Sequence, residues 1–370
     1  MFDCIVIGCG PSGSNLGRIL SEHGMKVAVL DRRIEIGSPV RTDGLVNIQD
    51  LEQAGLDADA LIRSRISSVR FSFQERHIDM HASGNRGDAF NASVEIDKLH
   101  KEMAALSALA GSNVYLRTEV KNIKIMPQGL FDVSALQMGK LLHMQSELVV
   151  LAGGGWDFIY PESDPAKSFG TRVMIENFHR RVANPSPTSA ELRLNLSPGF
   201  SMGVDFPFTE KMIDHMTLEM RRDNTQGKEE TGCLISGHRK ITVPEYPLPV
   251  YSGLPVIGVQ AGLWNPLFLT GFSHAIGSSS ILADLVLSRI HNGKEEIPGM
   301  YANLLKGRII SNLSDEMQLV DALEHSTEER ISAMFEEISD LDFSEVSLRE
   351  ILEKSGMKLD GLISKLRAGL

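Results

Sequence analysis

Six residues near the start of the chain, Gly8-Cys9-Gly10-Pro11-Ser12-Gly13, have the spacing G-x-G-x-x-G. Each glycine has its own task if this segment holds a dinucleotide. Gly8 allows a tight turn, Gly10 lets a pyrophosphate approach a backbone that has no Cβ, and Gly13 lets a helix pack closely on a strand. The chemistry is anion binding: Pro11 and Ser12 would open a helix whose N-terminal N–H groups and partial positive charge face the phosphates. Asp31, 18 residues after Gly13, would accept hydrogen bonds from the ribose hydroxyls. Taken alone the spacing is a weak signal, because a glycine-rich turn can produce it by chance.

The motif carries weight only where a strand leads in and a helix leads out. Residues 2–7 read as a buried strand, 11–22 as a helix stopped at His23-Gly24, and 26–30 as a second strand rich in β-type residues. A strand–helix–strand unit of this length implies a parallel sheet. Residues 69–73 alternate like a half-exposed strand. Asp97 is expected to cap a helix running to about residue 110. Residues 114–120 read as a strand, and 148–151 as a short one ending in Ala152-Gly153-Gly154-Gly155. From 156 to 246 turns and short strands predominate, as in a separate sheet layer.

Residues 246–283 contain no Asp, Glu, Lys or Arg. A membrane helix needs roughly 20 unbroken apolar residues. Here Pro247, Pro249, Pro255 and Pro266, with Gly253, Gly258 and Gly262, break any such helix. A buried strand–loop–helix unit beside a cofactor is the better reading. After residue 298 charged amphipathic helices follow. Ser326 and Glu329 form a capping-box pattern with Ile331, Met334, Phe335 and Ile338 on one face. Ser347 and Glu350 repeat it, and Gly356 is the expected stop.

At 370 residues, 42% of them hydrophobic, the chain can bury two packed regions with appendages. The net charge of -11 argues against nucleic acid as a partner. Cys4, Cys9 and Cys233 are too few and odd in number for a disulfide scaffold, which fits a reducing, cytoplasmic setting. No C-x-x-C pair is present, so no metal site is expected. The N-terminus lacks a basic leader and does not read as a signal peptide. Neither G-x-S-x-G nor H-E-x-x-H occurs, so hydrolase readings have no support. Three further side chains each admit two roles. His274 is a packed histidine or a proton donor, Arg41 a loop salt bridge or a ligand contact, and Cys9 a buried thiol or a redox group.

Residues 31–41, Asp-Arg-Arg-Ile-Glu-Ile-Gly-Ser-Pro-Val-Arg, are similar to the stretch after the second strand in geranylgeranyl reductases. That family belongs to the flavoproteins shaped like p-hydroxybenzoate hydroxylase. Residues 256–266 resemble its second flavin motif, G-D-A-A-G-x-x-x-P, and Gly271 with the following helix to 283 continues the match. Residues 335–352 resemble its helical tail, while the likeness is thin from 156 to 248. Val259 stands where the family has Asp, Leu269 where it has Gly, Gly153 where A-D-G has Asp, and Thr42 where Cys is common. Of its Y-x-W-x-F-P signature only Phe206-Pro207 is present. Residues 258–264 also look like the G-x-R-A-G-L-F of bacterial lycopene cyclases.

The resemblance implies an α/β fold. A Rossmann-like FAD domain would comprise residues 1–68, 94–155 and 250–297, a β-rich substrate domain 69–93 and 156–249, and a helical tail 298–370. FAD would be the cofactor, with Gly8, Gly10, Pro11, Ser12, Gly13, Asp31, Arg32, Arg41, Val120, Gly258, Gly262, Gly271 and Phe272 as its contacts. The helix opening near Gly271 would place its N-terminus at the flavin and stabilise the anionic reduced ring. The implied reaction is reduction of carbon–carbon double bonds in an isoprenoid or other apolar lipid. The electron donor would be NAD(P)H or a ferredoxin-like protein, and the chain could touch a membrane peripherally. Two alternatives remain: a cyclase-like flavoprotein without net redox change, and a binding protein that has lost its flavin.

Overall fold

The computed structural model describes residues 1–38, 43–82, 90–156, 171–182, 188–196, 201–209, 212–221, 235–289, 293–344, 348–356 and 358–367. Strand Phe2–Ile7 lies at the centre of a six-stranded sheet. It pairs in parallel with Val27–Leu30 on one side and with the second half of Lys140–Leu151 on the other. Cys4, Ile5, Val6, Val27, Ala28, Val29, Val149 and Val150 are all fully buried. Covering both faces is what a parallel sheet requires, and it explains why these strands are near-continuous apolar runs rather than alternating ones. Helix Pro11–Glu22 covers one face, beside helix Phe272–Arg289 and helix Ile96–Leu109.

A second sheet of seven strands holds Ser68–Phe73 and Arg76–His81 at one edge and the strands between Thr171 and Pro244 beyond them. Side chains alternate across it as period-two geometry demands. Phe71, Phe73, Leu192, Leu194, Met202, Val204 and Phe206 form one buried face. That face packs on the tail helices through Ile331, Met334, Phe335 and Ile338, with the Phe71 and Phe335 rings 5.2 Å apart. Burying one such side chain contributes roughly 1.5–3 kcal/mol, so this face is what fixes the tail in place. A small sheet of Asp43–Val46, Ala92–Glu95 and Ile62–Arg65 lies between the two larger ones in sequence.

Several expectations need correction. Asp97 is not the cap: the helix begins at Ile96 with Glu95 at the N-cap, and Asp97 sits in its first turn. The strand expected over 114–120 is two strands, Asn113–Tyr115 and Thr118–Ile125, because Arg117 takes a left-handed backbone with φ 51°. The short strand at 148–151 is the end of one of 12 residues. The strands beyond 170 are long rather than short, up to 12 residues. Ser326 does not cap its helix. Thr327 holds the N-cap, and the Ser326 hydroxyl donates to the carbonyls of Ala322 and Leu366. Gly356 does end helix Leu348–Ser355, with φ 64°. Ser347 lies outside the described residues. Residues 246–283 form two short strands, a 3-10 turn and the helix Phe272–Arg289, and no helix among the described residues is long and apolar enough to cross a membrane.

Candidate functional site

The glycine loop joins Phe2–Ile7 to Pro11–Glu22 at the carboxyl end of the parallel strands. Gly8 has φ 115°, and a Cβ there would lie 2.2 Å from the Ala152 carbonyl oxygen. A Cβ on Gly13 would lie 1.9 Å from the Gly8 carbonyl oxygen. A Cβ on Gly10 would meet nothing within 4 Å. Gly8 and Gly13 thus serve the packing of strand, loop and helix, while Gly10 faces open space. Pro11 occupies the first turn and no side chain caps the helix, so its N-terminus is left for a ligand.

Asp31 follows the second strand and is 5% exposed. Its Oδ2 accepts the Cys9 N–H at 2.9 Å, which ties the acid to the glycine loop. Arg33 closes on both oxygens, Nε to Oδ1 at 3.0 Å and Nη2 to Oδ2 at 2.8 Å. Burial alone would raise the Asp31 carboxyl, but the Arg33 hydrogen bonds and charge hold it below the ordinary carboxylate range. Beside it Arg32, Ile34, Arg117, Glu119, Leu136, Met138 and Gly139 line an open groove of about 570 Å³. Val120 follows Glu119 on the same strand. Cys9 is buried and burial pushes its thiol up to about 11, so it holds no thiolate for redox chemistry.

The second loop runs against the end of the central sheet, where the Ile257 N–H reaches the Leu151 carbonyl at 2.9 Å. Gly258 (φ 64°) and Gly262 (φ 72°) bound a 3-10 turn in left-handed conformations. A Cβ on Gly258 would lie 2.6 Å from the Ser12 hydroxyl, so the two loops touch. Leu269 has φ 56°, a backbone that suits glycine. Its side chain and that of Val259 pack against Trp264, Leu218, Ile241 and Val243. Gly271 precedes the helix, with Val259 and Trp264 as its neighbours. Phe272 is buried against Leu51 and Ile276, and His274 is 5% exposed in the first turn. Ser278, one turn on from His274, accepts the Gly258 N–H at 3.2 Å.

The structure therefore brings together the glycine loop, Ala152-Gly153 and the second loop at one crevice. Arg41 lies outside the described residues. Sequence reasoning missed Arg33, Gln260 and Asn265. The two carboxamides stand inside the uncharged run, and fully buried polar side chains in such a run were the signal available. Gln260 accepts the Gly153 N–H at 2.5 Å, and its backbone carbonyl accepts from the Trp156 indole at 2.8 Å. These residues fit a bound FAD: open space at Gly10 that a Cβ would fill, and an uncapped helix N-terminus beside it.

The FAD-binding domain family matches residues 1–158. A digeranylgeranylglycerophospholipid reductase of Thermoplasma volcanium is 22% identical over 392 aligned residues, covering 99% of this chain and 98% of the relative. A second such reductase, from Methanosphaera stadtmanae, is 30% identical over 154 residues, 41% of this chain and 39% of its own. Among solved structures, a geranylgeranyl bacteriochlorophyll reductase-like protein of Thermoplasma acidophilum superposes with a TM-score of 0.79 at 19% identity, covering 99% and 98% of the two chains. A flavin-dependent halogenase superposes with 0.67 at 14% identity, covering 98% of this chain and 76% of its own. Residues 1–158 thus match the FAD-binding domain family, and the chain is an FAD-dependent oxidoreductase similar to the geranylgeranyl reductases in sequence and in fold.

Proposed function

We propose that this oxidoreductase reduces carbon–carbon double bonds of an isoprenoid or similar apolar lipid. The observation that carries the reading is the likeness, at 22% identity over 99% of this chain, to a reductase named for a digeranylgeranyl lipid, joined to a glycine loop with open space at Gly10 and an uncapped helix N-terminus.

In this reading residues 1–68, 94–155 and 250–297 hold FAD, residues 69–93 and 156–249 form the β-rich substrate domain, and the tail 298–370 is a helical appendage packed on it. Gly10 and the N-terminus of Pro11–Glu22 take the pyrophosphate, while Asp31, Arg32 and Val120 serve the adenosine end. Gly258, Gly262, Gly271 and Phe272 shape the loop at the ring, and the N-terminus of Phe272–Arg289 favours negative charge there. FAD held there would supply the hydride chemistry that reduction of an alkene requires. His274 is the candidate proton donor among the described residues. No second dinucleotide fingerprint occurs in the sequence, so the electron donor, NAD(P)H or a ferredoxin-like protein, visits transiently. Contact with a lipid surface is peripheral and the setting cytoplasmic.

The test is an anaerobic single turnover of dithionite-reduced, FAD-loaded protein with polyprenyl lipids. The expected result is flavin reoxidation matched to hydrogen added to the lipid. Product formed with the flavin still reduced would instead indicate cyclase-type chemistry. No product and no reoxidation with any polyprenyl lipid would remove the lipid reading.

A further inference from the structure

Strands Phe131–Gln137 and Lys140–Leu151 pair antiparallel and are joined by a two-residue turn, Met138-Gly139, with φ 47° and 81°. Two positive values are what a tight hairpin turn requires, and asparagine followed by glycine meets the requirement at least cost. Methionine meets it badly, and its side chain is 72% exposed, so neither the backbone nor the core gains from it. Leu141 and Ile34 are exposed as well, at 60% and 69%. Leu141 pairs with Leu136 across the hairpin, and Leu136, Met138 and Ile34 line one groove. A single exposed apolar side chain needs no explanation, but a contiguous group at a hairpin tip does.

The same tip carries cations, on a chain whose net charge is -11. Arg117 places its guanidinium 4.0 Å from the Met138 sulfur. Lys140 follows the turn and pairs with Gln137 across it, and Arg32 lines the groove with Ile34. All three cations are exposed. The acids nearby are engaged by other cations, Glu119 by Lys121 and Glu35 by Lys101, both at 2.7 Å. The tip is therefore apolar at its centre and positive at its rim. That combination matches an anionic lipid surface, where apolar side chains enter the edge of the hydrocarbon and Lys or Arg meets the phosphates. It matches a docking electron donor less well. The groove adjoins the end of strand Val27–Leu30, whereas the second loop joins the end of Lys140–Leu151, with Phe2–Ile7 between them in the sheet. A donor has to approach the ring, on the second-loop side.

We propose that the tip formed by Ile34, Met138 and Leu141, rimmed by Arg117 and Lys140, docks the protein on an anionic lipid bilayer. The proposal rests on the lipid reading of the function, since a substrate held in a membrane needs the enzyme at its surface. None of these five residues belongs to the cofactor contacts assigned above, so docking and FAD loading can be varied separately.

The test is co-sedimentation of the FAD-loaded full chain with phosphatidylcholine vesicles, with and without phosphatidylglycerol. Two double variants are compared with the wild type: Met138→Ser with Leu141→Ser, and Arg117→Gln with Lys140→Gln. The wild type should bind the anionic vesicles and release them as salt is raised. Each double variant should bind at least about tenfold more weakly, the size expected for two side chains lost from a lipid contact. Thermal unfolding and FAD affinity should stay near those of the wild type, because all four side chains are exposed. No vesicle binding by the wild type would overturn the proposal, as would binding by either variant as strong as the wild type's. Capture of an acidic ferredoxin that is lost in the same variants, without vesicle binding, would also overturn it and give the tip to the electron donor. Turnover of detergent-dispersed polyprenyl lipid keeps the two readings apart. It persists if docking alone fails, whereas vesicle binding without such turnover would remove the lipid reading and leave the docking tip.

Discussion

The Asp31 carboxylate is gripped by both arms of the Arg33 guanidinium, at 3.0 and 2.8 Å, while also accepting the Cys9 N–H. The acid at the end of the second strand thus organises the glycine loop before it meets any ribose. Its depressed pKa makes it a source of pH-dependent stability. A carboxylate held low stabilises the fold fully above its ordinary value of 3.8, and the contribution is lost as pH falls through the depressed value. Asp31→Asn should cost about 1–2 kcal/mol at neutral pH, toward the low side for charged hydrogen bonds because Arg33 is partly exposed. Urea unfolding across pH should show the wild type and the variant converging only in strong acid. A constant gap down to that pH would mean that Asp31 carries no charge-dependent stability.

The three loop glycines should separate cleanly by experiment. Gly8→Ala and Gly13→Ala drive a Cβ into backbone oxygens at 2.2 and 1.9 Å, and Gly8 adds a left-handed strain. Both should lower stability without FAD by about 1–3 kcal/mol or more, as overpacking does. Gly10 has an extended backbone and open space, so Gly10→Ala should fold normally and lose FAD affinity. Thermal unfolding paired with FAD titration gives both readouts. Normal FAD binding by Gly10→Ala would show that the pyrophosphate does not pass this point.

Much of this site was legible because its signals are local. The strand at 2–7 is a short apolar run closed by Gly8, and the helix at 11–22 starts at a proline and ends at His23-Gly24. Arg33 lies only two residues from Asp31, yet its role depends on how the chain turns after the strand. Gln260 finds Gly153 across 107 residues, and no local pattern encodes such a meeting. The break at Arg117 was also hidden, because arginine does not announce a left-handed backbone. The long strands beyond residue 170 were read as short ones. Their length comes from pairing with one another across the sheet, not from any strong local alternation.

Leu269 sets backbone strain against packing. A left-handed leucine costs roughly 1–2 kcal/mol, while its partly buried side chain contributes to the cluster around Trp264. Leu269→Gly should relieve the first and lose the second, leaving stability within about 1 kcal/mol of the wild type. Leu269→Ala keeps the strain and loses the packing, so it should be the less stable of the two. Chemical unfolding of the pair settles the order, and the reverse order would mean that Leu269 is not strained.

His274 lies one turn before Ser278 on the same helix face, and Ser278 holds the Gly258 N–H. The spacing puts the histidine on the helix face that meets the second loop, and in the proposed reaction it is the candidate proton donor. Side-chain proton donors typically contribute about 10²–10⁴-fold to turnover. His274→Gln should lower kcat by about 10² or more while FAD affinity and KM stay near wild type. The isotope readout is independent: if His274 delivers the proton, the solvent deuterium effect on the wild-type rate should shrink in the variant as another step takes over protonation. A kcat within a few fold of wild type would pass the proton to water and leave His274 as part of the packing beneath the loop.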